Sequence, residues 1–554
     1  MRLMLLTMLA LSWGASVRAE PLPSYLDGNE TENRLPTANL PVDAYRPGEP
    51  FVQVVTPDTL RQQPLAMDSQ VQVRKVRFEG GTVYALSELR DHYQPIIGQT
   101  LSLAELSELT QRLTRRYRQD GYLLSYAYLP PQDFADGRVQ VVLVEGHVHD
   151  YRIEGEIGPA RAYLVRLLER LKAERPLTRQ TLDRYVSLMG RIPGATLQAR
   201  VEAAAADDGA ARLVVQISRR RFGGNVIVND GSRADPQALV SVASNAQTRH
   251  AELVRASVLV PPGGDDAHYA RLDYSQFIDD QGLQLQLSAS RYRSEPRTRV
   301  RLDDGTDLHQ QRDSDRYAIG LGQPLIAAPD EWLEVVGRFY VVKDRVDYQG
   351  AAQQAHTATD VRALSFEGDW RKVEGGRLRI LGAGVYQGMD YLGARSNAGY
   401  DLDFLRLRLS GLQSDDFTEH WQGVASAALY WSGDNLPDSE RVLFGGQGFG
   451  RGYPRDQASG DKGWGVAYEV NYSFRRGGEW LKVVQPYVVV DAARTWFNEV
   501  DVREAKLASA ALGLRLGDRR DFNIAVELAK PLADIALDSL DRRPRFTLSF
   551  SFQL

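Results

Sequence analysis

The sequence predicts two small α+β units followed by an all-β transmembrane barrel of about sixteen antiparallel strands. The last ten residues alternate without interruption between apolar and polar side chains, and similar alternation recurs from about residue 222 onward. Residues 72–219 instead show helical apolar stripes between short strands, and this order occurs twice. A strand with one wholly apolar face is typical of a barrel wall that contacts lipid.

The bulk composition excludes several classes of protein. A chain of 554 residues is too long for one ordinary hydrophobic core, so several domains are expected. The net charge of -5 disfavours a general nucleic-acid-binding protein, which usually carries a basic face. Because the chain contains no cysteine, disulfide bonds and thiolate chemistry are excluded. A hydrophobic content of 43% is compatible with a barrel, since only every second strand residue must face lipid.

The sequence pattern of the first 70 residues predicts an exported chain with a flexible arm. Residues 1–19 are expected to be a removed signal peptide, because Leu3 to Leu11 is apolar and Val17-Arg18-Ala19 resembles a cleavage site. The apolar run is shorter than the roughly 20 residues of a spanning helix, which disfavours a membrane anchor. Residues 20–70 are rich in proline and are predicted to be a linker or an adaptable arm, with a short helical stretch near Asp58 to Gln63.

Residues 71–148 and 149–219 are predicted to be two copies of one α+β unit. In the first copy Ser102 can cap a helix while Glu105 completes a capping box. In the second copy Thr178 can cap the corresponding helix. The apolar stripes of these helices are interpreted as core packing, and they are formed by Leu103, Leu106, Leu109, Leu113 and Tyr117 in the first copy and by Leu182, Tyr185 and Met189 in the second.

Residues 220–554 are predicted to form the barrel. Turn signals separate the alternating runs, and sixteen strands at about 20 residues per strand and turn suit a transmembrane barrel. The alternative is a periplasmic β-sandwich, which so many amphipathic strands would overfill. Runs that share one face include Val484, Pro486, Val488 and Val490, and Phe522, Ile524, Val526 and Leu528.

No enzymatic signature is found in the sequence. The eight histidines are scattered without a His-Glu-x-x-His motif, and no Gly-x-Ser-x-Gly elbow is present. The glycines of Gly446 to Gly452 recur at every second residue, which fits neither a dinucleotide fingerprint nor a phosphate-binding loop. We therefore predict no enzyme activity, no catalytic residue, no metal and no cofactor.

A long segment at about residues 434–461, between strands eleven and twelve, is expected to fold back into the barrel as a lumenal loop. Arg451, Gly452 and Tyr453 form a charged turn within it. A buried arginine needs an acidic partner, and Asp491 lies on the inward parity with Gln485 and Tyr487. The alternative, which parity alone leaves open, is that Arg451 is a solvated charge on an outer loop.

Three groups of residues resemble a known family. Tyr117 to Tyr122, Ala127 to Gln132 and Val144-Glu145-Gly146 are similar to the first polypeptide-transport-associated (POTRA) repeat of the two-partner secretion translocators. The run from Ser439-Glu440-Arg441 through Arg451-Gly452-Tyr453 to Gly460-Asp461 and Glu469 resembles the sixth-loop signature of that family. Asp491 stands where the family has the acidic residue of a Phe-x-Asp-x-Gly strand motif.

The sequence departs from the family pattern at three places. Gly450 replaces a valine before Arg451, Val489 replaces the phenylalanine two residues before Asp491, and Ala493 replaces the glycine two residues after it. These departures affect the local packing around the turn. The resemblance nevertheless favours pairing of Arg451 with Asp491.

The resemblance implies export of an unfolded partner protein through an outer-membrane barrel, with two POTRA domains in the periplasm. The implied partners are a large exoprotein of the haemagglutinin, haemolysin, adhesin or contact-dependent toxin type, outer-membrane lipid and the barrel assembly machinery, without nucleic acid. It implies capture of the exoprotein by the POTRA domains through Tyr122, Tyr128, Pro130, Gln132, Glu145 and Gly146. The alternatives are an insertase for outer-membrane proteins of the same superfamily, which usually has three to five POTRA repeats, and a simple porin.

Overall fold

The structure is a computed structural model that divides into two compact units. The first unit contains strand residues 52–55 and the described part of 69–219, and the second contains residues 35–46 with the described part of 220–553. The predicted signal peptide and the predicted helical stretch near Asp58 lie outside the described residues. No helix among the described residues is long and apolar enough to span a membrane. The structure describes residues 35–46, 52–55, 69–203, 208–229, 237–260, 267–295, 300–301, 307–349, 354–475, 481–499, 504–518 and 521–553.

The described residues of the first unit form nine strands and four α-helices. The strands are β1 Val52–Val55, β2 Gln70–Gln72, β3 Lys75–Glu79, β4 Thr100–Ser102, β5 Tyr126–Tyr128, β6 Arg138–Val144, β7 His147–Glu154, β8 Ala195–Ala203 and β9 Ala210–Arg219. The helices are α1 Leu86–Tyr93, α2 Leu103–Gln119, α3 Arg161–Ala173 and α4 Arg179–Gly190.

Each α+β repeat has its own main sheet, and β2 and β4 pair as an additional two-stranded sheet in the first repeat. In the first repeat the strand order is β3-β6-β5, and α2 begins with the predicted capping box between Ser102 and Glu105. In the second repeat the order is β1-β8-β9-β7, and the Thr178 hydroxyl accepts a hydrogen bond from the Thr181 amide at the start of α4. The apolar stripes of α2 and α4 lie in the cores of their repeats, as their periodicity predicts.

Strand β1 comes from the proline-rich arm and was not predicted. It pairs in parallel with β8, with Val52 opposite Ala199 and Val55 opposite Glu202. The arm therefore adds a strand to the edge of the second repeat's sheet.

The second unit is a closed barrel of sixteen antiparallel strands. Strand β10 closes it by pairing with the last strand, with Val226 opposite Phe552. The strands are β10 Phe222–Asn229, β11 Gln237–Asn245, β12 Leu253–Val260, β13 His268–Phe277, β14 Gln284–Ser294, β15 Asp307–Ala327, β16 Glu331–Gln349, β17 Gln354–Glu374, β18 Arg377–Gly388, β19 Leu405–Asp416, β20 Trp421–Ser432, β21 Lys462–Tyr472, β22 Val483–Trp496, β23 Ala505–Gly517, β24 Phe522–Pro531 and β25 Arg545–Gln553.

The alternation of side chains sets the two faces of the barrel wall. On β25, Phe546 is 61% exposed and points outward, whereas Ser549 is 2% exposed and points inward. The outward faces of the other strands carry the same kind of exposed apolar residue, such as Phe366 and Leu512. The predicted apolar face of the last strand is confirmed for its described residues, and this outer surface suits lipid.

The far end of the barrel, opposite the end where residue 222 enters it, extends beyond the apolar band. On β16 the outward residues change from Phe339 and Val341 to Lys343 and Arg345. Lys343 lies opposite Asp315 on β15 and Asp360 on β17, so opposite charges alternate across the three strands. Such cross-strand pairs suit a polar environment beyond the bilayer. The connection between β20 and β21 leaves from this same far end.

Candidate functional site

Residues 434–461 fold into the barrel and are named the lumenal loop. The loop contains a short hairpin in which Val442–Phe444 pairs with Ala458–Gly460. Its apolar side chains pack against inward-facing wall residues in one buried cluster, because an apolar loop inside a polar lumen must cover its own surface. Loop members of this cluster are Val442, Phe444, Phe449, Tyr453 and Ala458, and wall members include Leu378, Ile380, Leu412, Ala493 and Leu507.

The glycines of the loop allow a compact turn. Gly445, Gly446, Gly448 and Gly450 all have positive φ, where a side chain would be strained. A Cβ atom on Gly445 would clash with the Pro454 carbonyl oxygen. The amide of Gly446 donates to the carbonyls of both Gly450 and Tyr453 at 3.0 Å. The alternate glycines therefore serve backbone hydrogen bonding within the loop.

Arg451 at the tip of the loop has a side chain that is only 10% exposed, and it pairs with a residue that was not predicted. Its Nη1 atom lies 2.6 Å from Oε2 of Glu527 on β24, and its Nη2 atom lies 3.9 Å from Oε2 of Glu469 on β21. The predicted ion pair with Asp491 is wrong. Asp491 instead accepts hydrogen bonds from the amides of Gly450 at 2.6 Å and Arg451 at 3.4 Å.

Asp491 faces the lumen as its parity predicts, but its carboxylate oxygens already accept hydrogen bonds from other groups. Besides the two loop amides, it accepts a hydrogen bond from the Ser509 hydroxyl at 2.7 Å. The guanidinium of Arg451 extends past it to Glu527, two strands further around the wall. The alternative of a solvated outer-loop arginine is excluded by the burial of this side chain.

Gly452 and Tyr453 also contact the wall. A Cβ atom on Gly452 would lie 2.6 Å from the Pro531 nitrogen, so only glycine allows this approach. The Tyr453 hydroxyl donates to the Ala508 carbonyl at 3.2 Å and accepts from the Ala533 amide at 3.1 Å. All three residues of the predicted turn are thus in contact with β23, β24 or the residues that follow β24.

A second arginine joins the same network from the wall. Arg515 on β23 makes a bidentate pair with Glu469, at 2.6 and 2.8 Å. Its guanidinium lies 3.9 Å from the ring centroid of Tyr487, and the Tyr487 hydroxyl donates to Glu527 at 2.7 Å. The three charged pairs therefore form one connected network below the tip of the loop. Glu527 and Arg515 could have been predicted from the sequence, because each is a charged residue at an inward-facing position of an alternating strand.

Residues 35–46 lie inside the barrel and are named the lumenal segment. The Asn39 amide donates to the Tyr487 hydroxyl, its side-chain oxygen accepts from Arg515, and its backbone carbonyl accepts from Asn523, each at 2.9 Å. The Thr37 hydroxyl donates to Gln447 of the lumenal loop at 2.9 Å. This part of the arm was predicted to be a linker, and the structure instead fixes it to the loop and the wall.

The lumenal segment runs toward the end of the barrel where residue 222 enters. Arg46 lies 2.8 Å from Asp416 and 2.9 Å from the carbonyl of Gly376, which belongs to the turn between β17 and β18. The Gln422 side chain donates to Asp43 at 3.2 Å. Both the loop and the segment therefore occupy the lumen of the same barrel.

The predicted capture residues of the first repeat have internal contacts. The Gln132 side chain bridges the amide and the carbonyl of Gln140, at 2.7 and 2.9 Å. Its own amide also approaches the Pro130 carbonyl at 3.3 Å. A Cβ atom on Gly146 would clash with Leu124, so this glycine is required for packing.

The two predicted tyrosines lie in different settings. Tyr122 makes an edge contact with Tyr117, with ring centroids 6.1 Å apart. Tyr128 lies on β5, next to Tyr126. Tyr128 therefore lies on the edge strand of the sheet β3-β6-β5.

Glu145 fixes the loop that follows β3. It accepts hydrogen bonds from the Thr82 amide at 2.6 Å, the Thr82 hydroxyl at 2.7 Å and the Val83 amide at 2.7 Å. Burial alone would raise the pKa of Glu145, but the hydrogen bonds from Thr82 and Val83 outweigh it and hold the pKa below its ordinary value.

Replacing Glu145 by glutamine is therefore expected to destabilise the first repeat by about 1–2 kcal/mol near neutral pH. Because the folded pKa is lowered, the contribution is present above the ordinary pKa and is lost as the pH falls through the folded value. Urea unfolding of residues 48–219, followed by circular dichroism between pH 7 and pH 3, measures the difference. Glu108→Gln, which removes an exposed pair with Arg112, is the matched control. An equal effect of both variants would contradict the role of Glu145.

The described residues contain no group of three or more histidine, aspartate or glutamate side chains placed to hold a metal ion. The site consists instead of charged pairs around a loop and a segment inside the barrel. Its ionised side chains are arranged in connected pairs, as buried charges require.

Comparison with known proteins gives two family matches. Residues 71–146 match the POTRA domain of ShlB type, and residues 340–516 match the haemolysin secretion/activation protein family ShlB/FhaC/HecB. The heme/hemopexin transporter protein HuxB of Haemophilus influenzae (strain 86-028NP) is 21% identical over 487 residues, covering 83% of each chain.

Two solved structures share the fold. CdiB from Escherichia coli aligns with a TM-score of 0.69 at 18% identity, covering 90% of this chain and 93% of that chain. BamA from Haemophilus ducreyi lacking POTRA domains 1-3 aligns with a TM-score of 0.51 at 14% identity, covering 87% of this chain and 100% of that chain. The match to the ShlB-type POTRA domain and the match to the ShlB/FhaC/HecB family occur here in one chain, which is therefore similar over both regions to the outer-membrane transporters of two-partner secretion.

Proposed function

We propose that this protein captures one large, unfolded exoprotein in the periplasm and exports it through the lumen of its barrel. The observation that carries the proposal is a closed barrel whose lumen contains a loop and an N-terminal segment, both fixed to the wall by hydrogen bonds and ion pairs in addition to one apolar cluster. Such contacts can be exchanged for contacts with a polar, extended chain. The CdiB and HuxB relatives support an outer-membrane location with the POTRA domains in the periplasm.

Capture is proposed to occur by strand addition to the POTRA domains. Main-chain pairing at a sheet edge gives affinity without one required sequence, which suits a long unfolded substrate. Strand β5, which carries Tyr128, is an edge strand of the first repeat's sheet. The edge of β8 in the second repeat is occupied by β1 of the same chain. An exoprotein strand that binds β8 must therefore displace β1.

The direction of export is proposed to come from folding of the exoprotein outside the cell. The periplasm contains no ATP, and a chain that folds beyond the pore cannot slide back. The proposed exoprotein is a haemagglutinin, a haemolysin, an adhesin or a contact-dependent toxin. Two further partners are proposed, namely the lipid around the barrel and the barrel assembly machinery that inserts it. The neighbouring reading frame is expected to encode a very large exported protein rich in β-helix repeats.

The test is export of that neighbouring protein when both chains are co-expressed. We expect the exoprotein in the culture medium with the wild-type transporter and its retention in the periplasm when residues 72–219 are deleted. If the protein were a simple porin, it would keep its conductance after this deletion, and the wild-type protein would not export the exoprotein. Absence of export by the wild-type pair, with increased assembly of other outer-membrane proteins, would favour the insertase alternative and overturn the proposal.

Competition at the edge of β8 gives a separate prediction. Val54→Pro removes a backbone donor from β1 and is expected to release it. Val54→Thr keeps the donor and a β-branched side chain, so it is the matched control. The N-terminal domain of the exoprotein is expected to bind the proline variant about fivefold more tightly than the threonine variant, measured by calorimetry on the purified transporter. Equal affinity for both variants would show that β1 does not compete.

A further inference from the structure

The first residues of the lumenal loop have a buried contact that is separate from its tip. Glu440 is fully buried, and its Oε2 atom accepts a hydrogen bond from the Tyr340 hydroxyl at 2.8 Å. The same oxygen lies 3.4 Å from Nη2 of Arg406. Nη1 of Arg406 also donates to the Glu440 backbone carbonyl at 3.0 Å. Arg406 therefore holds both the side chain and the main chain of Glu440.

Aromatic rings surround this ion pair. The Arg406 guanidinium lies 3.9 Å from the ring centroid of Tyr386. Tyr340 and Tyr386 belong to a buried apolar cluster on the lumen side of the wall that also includes Phe404 and Leu436. An ion pair in such surroundings is weakly screened by water, so the loss of one partner leaves an expensive buried charge.

Adjacent contacts tie the two ends of the loop together. Nε of Arg441 lies 3.2 Å from Oδ1 of Asp461. Asp461 also accepts from the amides of Leu436 at 3.1 Å and Asn498 at 2.8 Å. The start and the end of the loop thus leave the wall as one closed neck.

Glu440 and the tip are held by different strands. Glu440 contacts β16 and β19, whereas the tip at Arg451 contacts β21, β22 and β24. The two strands that hold Glu440 are thus separate from the four strands that hold the tip, counting β23 through the Tyr453 contact, although the end of the neck also bonds β22 through the Asp461 amide and the Trp496 carbonyl at 2.8 Å. Release of the loop from the lumen therefore requires two separate sets of contacts to break.

We propose that Glu440 is a positioning residue which, with Arg406 and Tyr340, forms a neck latch that keeps the lumenal loop inside the closed pore. The latch acts through the loop and needs no contact with the exoprotein. The inference rests on the proposed function only in treating the lumen as the export path. Its test measures the loop and the pore alone, so its failure is distinguishable from failure of the proposed function.

The experiment uses Glu440→Gln in the purified full-length transporter. The chain has no cysteine, so a single introduced cysteine can be labelled specifically. Ser439→Cys is nearly isosteric and lies at a buried position of the neck, so its labelling rate reports exposure of the neck. We expect maleimide labelling of this cysteine to become about tenfold faster in Glu440→Gln, because a charged hydrogen bond and an ion pair are lost. Single-channel recordings in planar bilayers, made without any exoprotein, are expected to show more frequent openings.

The matched control is Glu367→Gln. Glu367 is another buried acid of the lumen, and it pairs with Arg338 at 2.8 Å on the neighbouring strand rather than with the loop. We expect its labelling rate and channel openings to stay within about twofold of the parent protein. Equal effects of Glu440→Gln and Glu367→Gln on both readouts would overturn the proposal.

Heat-modifiable mobility in electrophoresis establishes that each variant has a folded barrel. If Glu440→Gln does not fold, Tyr340→Phe carries the test, because it removes one hydroxyl from the latch and leaves the ion pair in place. We then expect labelling about threefold faster than in the parent protein. No change in labelling with Tyr340→Phe in a folded barrel would equally overturn the proposal.

Discussion

Replacing Arg451 by alanine is expected to abolish export of the exoprotein while the barrel still assembles in the outer membrane. The substitution leaves Glu527 buried with the Tyr487 hydroxyl as its remaining side-chain partner among the described residues. Leaving one member of a buried ion pair unpaired costs about 3–5 kcal/mol, which is enough to displace the tip of the loop. Exoprotein in the culture medium, measured by immunoblot, is the readout, and heat-modifiable mobility reports barrel assembly.

Variants of the partner residues separate the two roles at the tip. Glu527→Gln is expected to reduce export nearly as much as Arg451→Ala, since it leaves the arginine without its shortest ion pair. Asp491→Asn is expected to have a smaller effect, because the amide oxygen can still accept from the Gly450 amide. Asp491→Asn with a greater loss of export than Glu527→Gln would contradict the assignment of Glu527 as the partner.

Arg312→Ala is the control for loss of a buried ion pair as such. Arg312 makes a bidentate pair with Asp344, at 3.0 and 2.8 Å, on β15 and β16. This pair lies on different strands from the contacts of Arg451. Export by Arg312→Ala is expected to stay close to that of the wild-type protein. Equal export by Arg312→Ala and Arg451→Ala would remove the tip of the loop from the mechanism.

The alternation of side chains was sufficient to predict the barrel because period-two patterning depends on burial of one face alone. It also placed Asp491 correctly on the lumen side. Parity does not say which acid a long arginine side chain reaches across several strands. The Arg451 guanidinium passes Asp491, whose oxygens are filled by loop amides, and contacts Glu527. The face of each residue was thus predictable, and the partner was not.

Local signals also explain which parts of the periplasmic unit were predictable. The capping box at Ser102 and the cap at Thr178 depend on residues three positions apart, so the sequence contains them completely. Strand β1 has no such local signal, because its hydrogen-bond partner β8 lies far along the chain. The lumenal segment is similar, since its fixed conformation comes from wall residues such as Arg515 and Asn523.

The lumenal segment and the lumenal loop share one wall residue. The Tyr487 hydroxyl accepts a hydrogen bond from Asn39 of the segment and donates one to Glu527, which pairs with Arg451 of the loop. Thr37 adds a direct contact with Gln447 of the loop. Loss of the segment is therefore expected to weaken the loop contacts as well as to empty part of the lumen.

Deletion of residues 35–46 is accordingly expected to give the largest increase in pore conductance of any change considered. Single-channel recordings in planar bilayers should show a conductance several-fold above that of the wild-type protein, because an ordered stretch of chain leaves the ion path. Asn39→Ala should give an intermediate increase, since it removes the two side-chain hydrogen bonds to Tyr487 and Arg515 and keeps the backbone contact with Asn523.

Asp43→Ala tests whether Asn39 fixes the segment or whether any change in it opens the pore. Asp43 is exposed, and its contacts with Arg46 and Gln422 lie near one end of the barrel. Since exposed pairs contribute little, its conductance is expected to remain close to that of the wild-type protein. Equal conductance of Asp43→Ala and Asn39→Ala would show that Asn39 does not hold the segment. Unchanged conductance after the deletion would show that ions pass the lumen without meeting the segment at all.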